Sequence, residues 1–348
     1  MLPTFLAAAA DPAADSSIGT PLLWGISIAA VLVLVLLDFL LTRKPHEVSV
    51  REAVGWSAFY IALPVAFGAW VWNRHGSGAG IEYYTGYLVE KSLSVDNLFV
   101  FMLLLGAFAV PKELQQRVLL IGVMAALALR GVFIALGAQM LAHFDWTFLV
   151  FGAVLLVTGV KLFRDAVQDK DHEIDIGAMR TVRLLRRVMP VKDEYHGTRM
   201  AVRDGRRRAL TPLALVTVAI LATDIVFAVD SVPAVYGITG DPYLVFATNA
   251  FALLGLRALY FVLEGGLSKL VHLGYGLAAI LGFIGVKLVL HWAHGIWPAT
   301  PEVPTLASLA VVVGILALVT VTSLRASKRA ELTTAARQAE PERARARG

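Results

Sequence analysis

The sequence has no cysteine and few charged residues. Of its 348 residues only 16% are charged, whereas 57% are hydrophobic. The lack of cysteine excludes disulfides, thiolate metal sites and cysteine nucleophiles, so a metal could be held only by oxygen or imidazole ligands. An average soluble domain is roughly a quarter charged, and a chain this apolar would expose more hydrophobic surface than water tolerates. The composition argues against an ordinary soluble enzyme and predicts a protein embedded in a bilayer.

Long apolar segments are abundant. A membrane-spanning helix needs about 20 mostly apolar residues. The windows that qualify are residues 21–41, 53–72, 84–109, 117–140, 146–163, 212–237, 243–264, 271–292 and 304–324. They predict an all-α membrane protein with about nine transmembrane helices.

These windows divide the chain into six segments. Residues 1–80 hold two N-terminal spans, 81–164 a first group of three, 165–210 a basic loop, 211–293 a second group of three, 294–324 the final span and 325–348 a tail. The apolar residues of the loop are too scattered to span, and they predict a solvated segment with one short amphipathic helix at 181–188. The charged, Ala-rich tail predicts a disordered or loosely helical terminus.

Basic residues are distributed unevenly between the two sets of alternating loops. Arg74 is the only Lys or Arg in one set, four lie inside spans, and all the others fall in the second set. Because basic residues near span ends stay in the cytoplasm, the N-terminus is predicted outside and the C-terminus inside. The net charge of +5 then reflects insertion and not a nucleic-acid partner. The first residues lack a basic segment, so no cleaved signal peptide is expected.

Two parts of the sequence are alike. EKSLSVDN, from Glu90 to Asn97, resembles DIVFAVDS, from Asp224 to Ser231. The matching charged positions are Glu90 and Asp224, Arg130 and Arg257, and Lys161 and Lys287, at offsets of 134, 127 and 126 residues. Similar offsets predict two duplicated three-helix units. Since each unit has an odd number of helices, the second enters the membrane from the opposite side, giving inverted repeats typical of secondary transporters.

Acidic residues within the predicted spans are unusual. They are Asp38, Glu90, Asp96, Asp224, Asp230 and Glu264. Each would cost about 2.5–3.5 kcal/mol at a helix centre if left unpaired, so a partner or a functional role is expected. Asp38 could instead be an interfacial partner of Arg43. Glu264, beside two glycines at a predicted helix end, is expected to be solvated.

The repeated motifs supply candidate metal ligands. The predicted set is Glu90, Asp96 and Asn97 in the third span, with Asp224, Asp230 and Ser231 in the sixth. Pro233 removes an amide hydrogen bond and frees the carbonyl of Val229 as a further oxygen ligand. Carboxylate, amide and hydroxyl oxygens suit Mg²⁺, Ca²⁺ or Mn²⁺.

Four basic residues inside spans are predicted charge partners: Lys91, Arg130, Arg257 and Lys287. The acids could accordingly be only structural partners of these bases. Arginine keeps its charge and is expected to form fixed ion pairs, whereas a buried lysine could lose its proton. His291 and His294 are predicted to belong to an interfacial aromatic and imidazole belt, with a weak metal site as the alternative.

The motifs EKSLSVDNLFVF and TDIVFAVDSVPAVYGITGDPYLVFATNAFALLGLRALYFVL closely resemble the TerC family, including its Alx branch, and the similarity runs from about Leu37 to Leu290. The resemblance implies a multi-spanning bacterial inner-membrane protein linked to tellurium-compound resistance, alkaline response and Mn²⁺ export. It is also distantly similar to LysE-type cation exporters. Many relatives have a Glu where this chain has Leu221, which leaves one ligand of the family pattern absent.

These observations predict an exporter of Mn²⁺ that works by alternating access and is not an enzyme. Mn²⁺ is the expected cargo, with no prosthetic group, and the expected partners are the bilayer and a divalent cation; protein partners are unknown. Proton coupling is a further hypothesis. The alternatives are export of Ca²⁺ or another divalent cation, and a tellurium-resistance assembly protein without transport. An intramembrane aspartyl protease is disfavoured because neither Asp96 nor Asp230 follows a Gly-x-Gly element.

Overall fold

The computed structural model describes residues 17–41, 50–168, 179–192, 194–204, 207–263 and 272–345. In chain order the elements are α1 (Pro21–Leu41), α2 (Val50–Ala107), α3 (Lys112–His143), α4 (Trp146–Val167), α5 (Arg180–Val188), β1 (Ala201–Asp204), β2 (Arg207–Leu210), α6 (Pro212–Tyr236), α7 (Pro242–Leu254), α8 (Leu256–Leu263), α9 (Leu273–Ile296) and α10 (Thr305–Arg345). Within this described part, eight helical segments are long and apolar enough to cross a membrane, α7 and α8 forming one of them. The predicted all-α membrane fold is confirmed.

The helix α2 contains two spans. Gly76 has φ of 91°, a conformation that only glycine adopts readily, and the chain reverses there. The hydroxyl of Tyr83 donates to the carbonyl of Pro64 at 3.0 Å, and the hydroxyl of Tyr84 donates to the carbonyl of Val65 at 2.8 Å. The halves 50–75 and 77–107 therefore lie antiparallel. With α2 counted as two segments, the described residues contain nine apolar helical segments, which matches the nine windows predicted from the sequence.

The second half of α2, with α3 and α4, forms the first repeat, and α6, α7–α8 and α9 form the second. The packing pattern is the same when the two units are interchanged. The first helix of each unit packs on the second helix of the other: α6 packs on α3, and the second half of α2 packs on α7 and α8. Gly86 approaches Thr248, and Gly122 approaches Ile220, in these two interfaces. The helix α4 packs along α9. This reciprocal pattern is the arrangement that inverted repeats produce.

Glycines bring α4 and α9 close together. A Cβ atom at Gly152 would lie 2.9 Å from the carbonyl oxygen of Gly285, and one at Gly285 would lie 3.0 Å from the carbonyl oxygen of Gly152. Small residues let membrane helices approach at backbone distance, where van der Waals packing is strongest. The contact between the third helices of the two repeats therefore includes a close backbone approach at these two glycines.

The helix α1 lies outside both repeats and attaches to the second one. Ser27 Oγ is 2.6 Å from the hydroxyl of Tyr243, and the amide of Ile18 donates to Asp241 Oδ2 at 2.7 Å. The lateral surface of α1 is apolar and exposed; Leu22, for example, is 73% exposed. Such a surface is compatible with lipid and not with water.

The polar loop holds more structure than the sequence indicates. The helix predicted at 181–188 is present as α5, but the antiparallel hairpin of β1 and β2 is not predicted, because two strands of four residues give no clear periodic signal. Tyr195 donates to the carbonyl of Phe108 at 2.7 Å and ties this loop to the end of α2. We call this end of the bundle the loop end and the other the Gly76 end.

The tail is helical, which agrees with the second of its two predicted forms. The helix α10 continues beyond residue 324 to Arg345, as one helix with the last span. Alanine, glutamate, arginine and lysine, which dominate this segment, are strong helix formers. Helix propensity therefore accounts for the continuation of the last span into the tail.

Candidate functional site

Arg130 lies at the centre of the bundle. It is on α3, its side chain is fully buried, and it forms an ion pair with the equally buried Glu90 of α2. Its Nη1 also donates to Asn249 Oδ1 on α7 at 3.0 Å. A guanidinium has five donors in a rigid plane, so it can bind groups from several helices at once. Arg130 thus joins the first repeat to the second.

Two further residues surround the same guanidinium. The Asn97 amide, oriented to satisfy both of its groups, accepts from Arg130 Nη2 at 3.1 Å and donates to the carbonyl of Leu93 at 3.1 Å. Asp224 Oδ1 of α6 lies 4.0 Å from Arg130 Nη2. We call Glu90, Asn97, Arg130, Asp224 and Asn249 the Arg130 cluster. Its five residues come from four helices, two of them from α2 and one each from α3, α6 and α7.

The formal charges of the Arg130 cluster do not balance. Glu90 and Asp224, which are 0% and 1% exposed, face one arginine, so the ionised cluster carries a charge of −1. Neither carboxylate oxygen of Asp224 has a hydrogen-bond partner among the described groups. A buried carboxylate without such partners is unfavourable. This arrangement attracts a further positive charge.

The predicted ligands are not gathered into one cage. Glu90, Asn97 and Asp224 meet at Arg130, whereas Asp230 Oδ1 accepts a hydrogen bond at 2.8 Å from Thr158 of α4. Asp96 is half-buried on α2, and Ser231 is buried. Across the described part of the chain, no three His, Asp or Glu side chains are arranged to hold a metal ion. Arg130 thus sits between Glu90 and Asp224, and Asp230 turns to α4, so the structure brings only part of the predicted ligand set together.

The other predicted charge partners lie apart from Arg130. Arg257 forms a buried ion pair with Asp38 of α1, where the sequence suggested Arg43 as the partner of Asp38. The half-buried Lys91 donates to the carbonyl of Ala252 at 3.3 Å. Glu264, expected to be solvated, lies outside the described residues.

A second polar region lies at the Gly76 end. A cavity of about 480 Å³ is lined by Thr239, Lys287, His291 and Glu302, among others. His291 Nδ1 is 2.9 Å from Glu302 Oε1, and the His291 ring meets Phe148 edge to face. His294 Nδ1 lies 2.7 Å from the carbonyl of Thr300. The two histidines thus contact different groups, and the His291 contact with an aromatic ring resembles the predicted belt.

Sequence reasoning missed three polar residues that the structure brings to these regions. Asn249 binds Arg130, Thr158 binds Asp230, and Glu82 accepts from the hydroxyl of Thr239 at 2.6 Å. Asn249 and Thr158 are uncharged and lie in apolar sequence, so the search for charged residues in spans did not find them. A polar amide within a span nevertheless indicates a partner on another helix. Glu82 precedes the predicted boundary of the third span by two residues.

Comparison with known proteins places this architecture in a family. Residues 75–331 match the family described as "Integral membrane protein TerC family". The chain belongs to the TerC family. The match begins at the α2 reversal, beside Gly76, and contains both repeats. The TerC region therefore includes the whole Arg130 cluster, whereas α1, which supplies Asp38, precedes it.

Relatives of this TerC protein cover nearly its full length. It is 41% identical over 320 residues to the "Uncharacterized membrane protein STKORF319" of Myxococcus xanthus, covering 92% of this chain and 97% of the relative. It is 40% identical over 314 residues, 87% of this chain and 94% of the relative, to a protein of Escherichia coli that carries the provisional name membrane-bound redox modulator Alx. No solved structure matches the chain.

Proposed function

We propose that this TerC protein exports Mn²⁺ from the cytoplasm, with Glu90 and Asp224 as the central acids of the transport route. One observation carries the proposal: an acid from each inverted repeat approaches the same fully buried Arg130, so two carboxyl groups share one guanidinium. Transporters of inverted-repeat architecture bind cargo where the repeats meet. Hard carboxylate oxygens and an unbalanced negative charge favour a hard divalent cation over an anion.

Arg130 has a defined role in this scheme. Its guanidinium supplies the positive charge between the two acids and competes with the cargo for them. Asp224, at 4.0 Å and with no hydrogen bond to its oxygens, is the acid that engages an arriving cation first. Glu90, in direct ion-pair contact, engages it as the guanidinium withdraws toward Asn249. Asp96 and Asp230 are the next carboxylates along the same two helices.

The packing on the two sides of the cluster supports alternating access. Toward the loop end, buried apolar residues fill the space between helices, among them Leu98 of α2, Val118 of α3 and Ile220 of α6. Toward the Gly76 end lies the polar cavity with Lys287 and Glu302. A hydrated ion crosses a polar cavity far more easily than a packed apolar layer. The two helix triplets must therefore repack about the α4–α9 contact to admit cargo from the loop end.

The direction of transport depends on topology. We propose that the protein lies in the bacterial inner membrane, with the N-terminus outside and the basic loop end in the cytoplasm, since basic loops are retained there. The cargo then enters from the loop end and leaves at the Gly76 end. The acids bind and release cargo without making or breaking a covalent bond, so we assign the protein a transport role and not an enzymatic one.

The decisive experiment measures intracellular manganese in an exporter-deficient bacterium that expresses the full chain. The wild type should lower the Mn content, and Glu90→Gln and Asp224→Asn should each restore it to the level of the empty vector. Asp96→Asn and Asp230→Asn test the other two predicted ligands. Glu113→Gln is the matched control, because Glu113 is an exposed carboxylate at the start of α3.

Two outcomes would contradict the proposal in different ways. Unchanged Mn content with the wild type, at verified membrane expression, would reject Mn²⁺ as cargo, and the same cells assayed for Ca²⁺ would test the alternative cation. Full export by both Glu90→Gln and Asp224→Asn would reject the site. A non-transporting assembly protein would lower neither metal in any form.

The name of the Alx relatives points to a redox role for those proteins. In this chain a direct thiol reaction is excluded by the absence of cysteine. Removal of a redox-active metal from the cytoplasm would be an indirect route to such an effect. The manganese assay also tests this indirect route, because the proposal predicts that any change in cytoplasmic redox state follows the intracellular Mn content.

A further inference from the structure

A groove runs along the surface of α4. It has a volume of about 490 Å³ and is lined along its apolar part by Leu156, Val157 and Val160. Toward the loop end the lining changes to Lys161, Arg164 and Asp165, with Gln168 at its edge. We call this feature the α4 groove. Its order of apolar and then charged side chains matches the order of acyl chain and headgroup in one leaflet.

The apolar part of the α4 groove is open to lipid. Val157 is 70% exposed and Val160 is 59% exposed. On α6, beside Asp230, Val226 and Val229 are 58% and 39% exposed, and the hydrogen bond from Thr158 to Asp230 holds this part of α6 against α4. These side chains would be unfavourable in water but are compatible with an acyl chain lying along α4.

The charged part of the α4 groove lies at headgroup level. Lys161 and Arg164 are exposed and three residues apart, so they share one face of the helix. Nearby, the rings of Phe163 and Tyr275 meet edge to face, and the Tyr275 hydroxyl donates to the carbonyl of Ala166 at 2.8 Å. Aromatic side chains of this kind mark the membrane interface, to which a lysine stem can extend.

We propose that the α4 groove binds one anionic phospholipid of the phosphatidylglycerol class. Its phosphate lies between Lys161 and Arg164, and one acyl chain follows Val160 and Val157 toward the membrane centre. Two bases and one acid give the charged end a formal charge of +1, which complements a single phosphodiester. A zwitterionic headgroup would bring its ammonium close to the same two bases.

The α4 groove is connected to the carboxylates of the second repeat. Thr158, which binds Asp230, is three residues before Lys161, and Lys161 is the basic side chain whose field reaches Asp230. A phosphate bound to Lys161 would therefore interact with the same ammonium group whose positive charge acts on Asp230. Lipid binding itself requires only that the chain lie in a bilayer, so this inference does not depend on Mn²⁺ export.

Native mass spectrometry of the full chain in detergent tests the inference, with phosphatidylglycerol and phosphatidylcholine as probes. The wild type should retain one phosphatidylglycerol in preference to phosphatidylcholine. Lys161→Gln with Arg164→Gln should weaken phosphatidylglycerol binding about 30-fold, from about 1 kcal/mol per basic residue. The charge-conserving pair Lys161→Arg with Arg164→Lys should bind as the wild type does and shows that folding is not the cause.

A matched control distinguishes the groove from general surface charge. Lys112→Gln with Arg117→Gln removes two exposed bases from the loop end of α3, away from the groove, and should leave binding unchanged. Equal loss in this control, or no loss in the Lys161 and Arg164 pair, would overturn the proposal. Displacement of the lipid by excess inorganic phosphate would also overturn it, because that result would identify a simple anion site.

Discussion

Arg257 and Asp38 form a buried ion pair that joins the second repeat to α1, a helix outside both repeats. Arg257 is the repeat counterpart of Arg130, which instead binds acids from the two repeats. The duplicated arginines therefore have different partners. Arg257 pairs with Asp38, and the Arg130 cluster has two acids for one base. A second guanidinium there would cancel the negative charge that favours a cation.

Asp38→Asn should strongly destabilise the protein. The substitution leaves Arg257 buried without its carboxylate, and breaking a buried ion pair in this way costs about 3–5 kcal/mol. Thermal unfolding in detergent measures the loss. The double variant Asp38→Ala with Arg257→Met should lose less stability than the summed losses of Asp38→Ala and Arg257→Met, because no buried charge is left. Additive losses would show that the two residues do not interact.

Arg130→Gln should lower stability and strengthen the response to Mn²⁺. Without the guanidinium, Glu90 and Asp224 lose their buried cation, at a cost of about 3–5 kcal/mol. A divalent cation that replaces it binds only the folded state and restores part of the loss. We expect added Mn²⁺ to raise the unfolding temperature of this variant more than that of the wild type. The exposed Arg117→Gln serves as the control, and equal Mn²⁺ responses in all three proteins would contradict the prediction.

Gly285→Ala should weaken the α4–α9 contact, whereas Gly282→Ala should not. A methyl group at Gly285 would lie 3.0 Å from both the Gly152 carbonyl oxygen and Leu156 Cγ, while one at Gly282 has no neighbour within 4 Å. Both substitutions raise helix propensity by about 1 kcal/mol, so propensity cannot explain a difference. Thermal unfolding should rank Gly282→Ala at or above the wild type and Gly285→Ala below it. The reverse order would show that the close approach is not rigid.

Tyr195 should make stability sensitive to alkaline pH. Partial burial raises the pKa of Tyr195 to about 12 from 10.0, so above pH 10 the unfolded chain loses this proton before the folded one does. Its contribution is fully present below pH 10 and is lost as pH rises toward 12. Tyr195→Phe should be less stable than the wild type near neutral pH, because it lacks the bond to Phe108, and this difference should shrink between pH 10 and 12. A constant difference in chemical unfolding would contradict the prediction.

Single cysteines can report the topology cleanly, because the chain has none of its own. Ser77 lies beside the α2 reversal and His196 lies in the loop, and both are exposed. A membrane-impermeant maleimide should label Ser77→Cys in intact spheroplasts and label His196→Cys only after permeabilisation. The opposite result would reverse the orientation and the direction of transport.

Much of the fold could be predicted from the sequence. Hydropathy alone predicts nine apolar spans, and the matching motifs predict two duplicated three-helix units, since both depend on properties that lie along the chain. The reversal at Gly76 agrees with the gap between the second and third windows. The β1–β2 hairpin and the full length of α10 were not predicted, because short strands and polar helices have weak periodic signals.

The site was predictable in composition but not in pairing. The burial of Glu90 and Asp224 agrees with the expectation that intramembrane acids are enclosed by protein. Helical spacing shows which residues share a face, but the partner of each comes from another helix. Asn249 and Thr158 illustrate this limit, since neither was predicted as a ligand or charge partner, yet Asn249 binds Arg130 and Thr158 binds Asp230.

The sequence by itself determined the solvent of this protein, its number of crossings, its duplicated units and the negative charge carried within its spans. Those properties follow from the order of apolar and charged residues. Only the tertiary structure decided that Arg130 joins Glu90 and Asp224, that Asp38 takes Arg257, and that Asp230 turns to Thr158. The reason is geometric: in a medium without water, each buried charge must find its partner across a helix interface, and helix packing selects that partner.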